Sequence, residues 1–170
     1  EVPSLAWPVI RAQLELALYD DGQVSEWLDR LQAQSAAIGS ACDIVRARAW
    51  VYQAARGRTD DECREARTAL ASCLAQASPA NAATRSWYMA LQGAHLHLLG
   101  DSAGAARKLA TAEVSFRLDQ QPLLAEVLRW HVARLTERHE SQAAASTWLQ
   151  QAGVADVPRF CQAWLRLELG

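Results

Sequence analysis

Few residues in this chain are spaced for chemistry. His95 and His97 form the closest histidine pair. Two residues apart on a helix, their side chains point roughly 200° apart and cannot both reach one metal ion. Zinc ligands on a helix need a spacing of three or four. The four cysteines, Cys42, Cys63, Cys73 and Cys161, contain no Cys-x-x-Cys pair and sit in stretches rich in Ala, Leu and Arg. They are expected to be reduced, buried or half-buried thiols, because a disulfide framework belongs to smaller, loop-rich chains. No serine stands in a Gly-x-Ser-x-Gly turn and no Gly-rich loop ends in Gly-Lys-Ser/Thr. The segment Gly100-Asp101-Ser102-Ala103-Gly104 is a turn between helices and not a phosphate cradle. Asp20-Asp21, Asp60-Asp61-Glu62 and Glu137-Arg138-His139-Glu140 are charge clusters at expected helix ends, where capping and the helix dipole explain them. The expectation is therefore no catalytic residue, no metal and no cofactor.

The elements that carry these residues can be read from composition and period. Of 170 residues, 34 are Ala and only 8 are Gly and 5 Pro, which favours helices over an all-β or loop-rich domain. With 17 basic and 19 acidic side chains the net charge is −2, which excludes a strongly basic nucleic-acid binder and offers nothing to an anionic membrane. No apolar run reaches 18 residues, so a cytoplasmic location is expected. The chain opens at Glu1 and its one methionine is Met89, as expected of a piece of a longer protein or a processed chain.

A step of 39 residues brings like onto like. Leu31 maps onto Leu70, Leu109 and Trp148, and Trp27 maps onto Ala66, Ala105 and Ala144. Within a unit, Met89, Gly93 and Leu96 form one helical stripe and Ala105, Leu109 and Ala112 a second, with a stop at Gly100 between them. The expected units are 5–40, 41–79, 80–119 and 120–156, each a pair of helices, followed by a capping helix over 157–169. First helices are expected near 5–20, 42–57, 82–99 and 121–138, and second helices near 23–38, 61–77, 102–117 and 141–152. Such pairs cannot bury their apolar faces alone, so they must stack.

The third unit resembles a tetratricopeptide repeat, with Gly93, Leu96, Gly100-Asp101, Ala105, Leu109 and Ala112 at the family's small and large positions. Met89 stands where the family has an aromatic residue, Arg117 stands where it has proline, and the period is 39 where the family has 34. The longer repeat resembles those of bacterial signalling proteins, in serine/threonine kinase tails and large ATP-dependent transcriptional regulators. Residues 147–160 resemble the last helix pair of such tails. The resemblance implies an all-α superhelix of four antiparallel helix pairs and a non-catalytic protein–protein interaction module.

In that superhelix four positions of each first helix recur on the concave face. They place Arg48, Trp87 and Glu126 in one row with Val9, and Arg129 in a second with Ala12, Val51 and Ala90. Leu16, Ala55, Ala94 and Ala133 form a third row, and Tyr19, Arg58, His97 and Thr136 a fourth. Tyr19, Arg48, Arg58, Trp87, His97, Glu126 and Arg129 are thus the candidate groove residues. Arg and Trp suit an acidic or aromatic-bearing peptide, or a neighbouring domain of the same chain. A small-ligand sensor domain of a transcriptional regulator is the alternative. Trp27, Trp50 and Trp148 are expected in the repeat core, and Trp87, off the core stripe, is expected free in the groove. Trp7 and Trp164 are expected at the two ends of the stack, where an apolar patch would support a homodimer.

Overall fold

The computed structural model describes residues 7–20, 24–34, 40–56, 59–76 and 82–167. Nine α-helices account for most of them and no strand occurs among them. In chain order they are α1 (Trp7–Asp20), α2 (Val24–Gln34), α3 (Ser40–Arg56), α4 (Asp60–Gln76), α5 (Ala82–Leu98), α6 (Ser102–Leu118), α7 (Pro122–Leu135), α8 (His139–Gln151) and α9 (Val157–Trp164). None is long and apolar enough to cross a membrane. Each odd-numbered helix packs on the even-numbered helix that follows it, and α2, α4 and α6 pack on the next odd-numbered one.

The punctuation of the helices is chemically explicit. Asp101 caps α6 by accepting from the Gly104 amide at 2.7 Å, Asp156 caps α9 by accepting from the Arg159 amide at 3.1 Å, and Pro122 opens α7. Four helices end alike. The amides of Asp101, Gln121, Arg138 and Val154 donate to Leu96, Phe116, Ala133 and Leu149 carbonyls at 3.0, 2.9, 2.8 and 3.0 Å, the six-to-one closure of a Schellman motif. The left-handed residue preceding each is Gly100, Gln120, Glu137 or Gly153. Gly93 serves a different purpose. A Cβ there would lie 2.8 Å from Leu109 Cγ, so its absence is what lets α5 and α6 close together.

Three apolar clusters result. Leu14, Leu18, Val24, Leu28, Val45 and Ala49 fill the first. The central cluster holds Val51, Leu70, Leu91, Leu109, Phe116 and Leu128, and the third holds Val127, Trp130, Ala145, Leu149 and Cys161. Leu70 and Leu109 are fully buried as the 39-residue period requires. The step shortens in the fourth unit: α7 ends at Leu135, not near 138, because Glu137 takes the left-handed turn position that Gly100 holds 37 residues earlier. Buried Leu149 thereby takes the register of buried Ala112, and Trp148 is exposed. The last helix also ends early, at Trp164, and Leu165 turns to extended backbone (φ −149°, ψ 105°).

Candidate functional site

The odd-numbered helices carry the candidate groove, and the structure fills it. Residues 157–167 lie against these helices: α9 packs on α1, α7 and α8, and Leu165 and Leu167 join the central cluster with Ala47, Val51, Ala90 and Ala94. Val51, Ala90 and Ala94 belong to the expected concave rows, and they share the central cluster with two leucines of the C-terminal segment. Ala12 and Leu16, from the same rows, remain exposed on α1.

Arg48 is the hinge of this arrangement. It is buried in α3, and its guanidinium donates to the Ala163 carbonyl at 3.0 Å and the Trp164 carbonyl at 3.2 Å. These carbonyls close the C-terminal turn of α9, where backbone acceptors lack intrahelical donors and a cation favours the helix dipole. The same guanidinium lies 4.6 Å from the Trp164 ring centre and 5.5 Å from that of Trp87, and Glu15 sits 3.6 Å away as its counter-ion.

Trp87 is packed, contrary to the expectation from its register. Its ring stacks on Trp164 (centroids 5.5 Å apart, 24° between planes) and meets Phe116 edge-on at 5.5 Å. Its position off the stripe turns it toward the C-terminal segment and not toward solvent. Trp164 is likewise not a cover for the end of the stack. It lies against Trp87 and Arg48, with Phe160 at 6.1 Å. Between Trp87, Phe116, Leu124, Leu128, Trp164 and Leu165 a cavity of about 10 Å³ remains.

The other candidates separate. Tyr19, at the end of α1, has the Arg159 guanidinium 4.6 Å from its ring and accepts from Arg159 Nε at its carbonyl, 3.1 Å away. Glu126 is buried and ion-paired, to Arg117 at 2.7 Å and to Arg129 at 3.5 Å. Arg117 also pairs with Glu113 at 3.0 Å, whose carboxyl is pushed up by burial. Arg48 and Arg129 therefore already have carboxylate partners, which weakens the case for an acidic peptide. His97 is half-buried on α5 and close enough to His131 of α7 to act on its charge. Arg58 and the side chains of Trp7 and Cys42 lie outside the described residues. Trp27 and Trp50 are half-buried against the core.

Three contributors were not among the candidates. His131, on α7, is fully buried, and its Nε2–H donates to the Cys161 carbonyl at 3.0 Å. Burial pushes its pKa down to about 3, opposed by that hydrogen bond and reinforced by nearby Arg134 and His97. Arg166 lies 5.4 Å from the Tyr52 ring centre. Cys161 is fully buried, and its thiol is pushed up to about 12 by that burial. Cys63 is half-buried and Cys73 buried. The signal for the C-terminal segment was a change of period: Val157, Phe160, Cys161 and Trp164 follow helical spacing, and Leu165 and Leu167 then alternate.

Chemically, the site can hold a peptide backbone by its carbonyls and an aromatic side chain by stacking. Among the described residues, no three His, Cys, Asp or Glu side chains gather as metal ligands would. No protein-family pattern, curated protein or solved structure matches the chain.

Proposed function

We propose that the chain is a tetratricopeptide-like repeat module whose inner face, built from α1, α3, α5 and α7, binds a peptide segment of a partner. One observation carries this reading: that face already holds eleven residues of chain, 157–167, by contacts of the kind a peptide receptor uses. Arg48 takes two main-chain carbonyls, Trp87 supplies a flat aromatic platform, and Ala90 and Ala94 leave depth for aliphatic side chains. With that segment in place the inner face leaves about 10 Å³ beside Trp87, far below the several hundred Å³ of a metabolite pocket. A small-ligand sensor is the second reading, and the observation for it lies elsewhere: an open cavity of about 380 Å³ lined by Leu74, Gln92, His95, Leu96 and Lys108. A non-enzymatic role and a cytoplasmic setting in a bacterial signalling protein belong to the same proposal. They rest on the resemblance of the repeats and of residues 147–160 to such proteins.

The test is selection of binders to the full chain from a displayed peptide library, with each binder mapped by amide chemical shifts. Binders that move the resonances of Arg48, Val51, Trp87 and Ala90 are expected. Binders that map only to the outer helices, or selection of a metabolite pocket in their place, would contradict it.

A further inference from the structure

Residues 157–167 have the chemistry of a ligand that is tethered to its receptor. An eight-residue helix is too short to persist alone, so α9 is held by the face it sits on. The turn before it, Ala152–Asp156, contains Gly153 at φ +96°, and Asp156 caps α9 locally. The hydrogen bonds that fasten the segment are mostly blind to sequence: Arg48 to the carbonyls of Ala163 and Trp164, and His131 to the carbonyl of Cys161. The sequence-specific contacts are ordered along the segment. Arg159 meets Tyr19, an aromatic ring ends the helix on Trp87, and two buried leucines, the first in extended backbone, flank a buried Arg166 that lies over Tyr52. The cavity of about 10 Å³ lies at the seam between this segment and the face.

Resting on the peptide-binding reading above, we infer that the partner segment has this same chemistry. It is a short helix that ends in an aromatic residue and continues as Leu-x-Leu, with the first leucine in extended backbone and a basic residue at x, and it binds by displacing residues 157–167. The resident segment competes at the effective concentration of a short tether, on the order of millimolar. The partner therefore gains access only by a better fit, such as a side chain that fills the seam cavity.

Displacement has a built-in reporter. Cys161 is fully buried while the segment is seated, and its thiol becomes an ordinary, reactive one when the segment leaves. The experiment uses the full chain and a synthetic peptide of residues 156–167 carrying Cys161→Ala, with alkylation of the protein's Cys161 read by mass spectrometry. Two results are expected without the peptide and with it: alkylation at least 100-fold faster than global unfolding, and a further rise of at least ten-fold at saturating peptide. In the full chain bearing Trp164→Ala, checked for helicity, the peptide should bind at least ten-fold more tightly, and adding Arg48→Met should remove that gain. Alkylation that proceeds only at the global unfolding rate, with or without peptide, overturns the inference and needs no variant. A library peptide of other chemistry that accelerates Cys161 alkylation, where the 156–167 peptide does not, keeps the peptide-binding face and overturns the aromatic-Leu-x-Leu assignment. Failure of both kinds of peptide to accelerate it overturns both.

Discussion

Replacing Arg48 with methionine keeps the length of the side chain and removes its donors. Two carbonyls in the last turn of α9, those of Ala163 and Trp164, then lose their partners at 3.0 and 3.2 Å. A hydrogen bond to a charged group contributes about 1.5 to 3 kcal/mol, and stranding a part-buried acceptor costs a similar amount. The cation–π contact with Trp164 at 4.6 Å adds about 1 kcal/mol. Release of a buried guanidinium from its desolvation offsets part of this, and the ion pair with half-exposed Glu15 counts for little. A net loss of about 3 kcal/mol is expected, equivalent to roughly a hundred-fold in an equilibrium constant. Because these contacts fasten one segment, the loss is local. Amide hydrogen exchange should show protection of residues 161–167 falling by about that factor. Protection in α5 and α6 should change far less. Unchanged protection of 161–167, or an equal fall throughout α5 and α6, would refute the reasoning.

Three further outcomes are expected. His131 is held neutral with a pKa of about 3, against an unfolded value near 6.5, so above pH 6.5 it adds no pH dependence. As the pH falls below 6.5 the unfolded chain takes up the proton first, and stability drops by up to about 1.4 kcal/mol per pH unit until about pH 3. Urea midpoints of wild type and His131→Gln between pH 7 and 4.5 should diverge accordingly, and parallel curves would exclude it. Gly93→Ala should cost about 1 to 2 kcal/mol, because the crowding of Leu109 at 2.8 Å outweighs a helix-propensity gain of about 1 kcal/mol, as thermal or urea unfolding will report. Leu149→Ala should cost about 2 to 5 kcal/mol and Trp148→Ala under about 1 kcal/mol, since the first is buried and the second exposed; the reverse order in urea unfolding would restore the unbroken 39-residue period.

The helices were legible because their signals are local. Alanine content and the stop at Gly100 act within a turn or two of chain, and the observed bounds of α5 and α6 follow them closely. The repeat step also located Leu70 and Leu109 in the core. Its failure at Trp148 has a local cause too, but one that helical periodicity does not register: Glu137 adopts φ +56°, a position where glycine is the usual signal. Arg48, Trp87, Ala90 and Ala94 were legible as recurring positions of α3 and α5, while what covers them was not. What covers them lies about 115 residues away, as the separation of Arg48 from Ala163 shows, and no local rule brings the two together. Arg48 could be read as a free cation for the same reason. Glu15 and the carbonyls of α9 reach it only through the stacking of helices, whereas Glu126 meets Arg129 within one turn of α7.

The most direct test is the contact between the Trp87 and Trp164 indoles, followed by nuclear Overhauser effects in the full chain with and without the 156–167 peptide. Rings 5.5 Å apart between centroids should give cross-peaks in the free protein, together with cross-peaks between Tyr19 and Arg159. At saturating peptide both sets should vanish, with Trp87 then showing intermolecular cross-peaks to the peptide's own tryptophan. Cross-peaks absent from the free protein, or unchanged at saturating peptide, would contradict a peptide-binding face occupied by its own C-terminal segment.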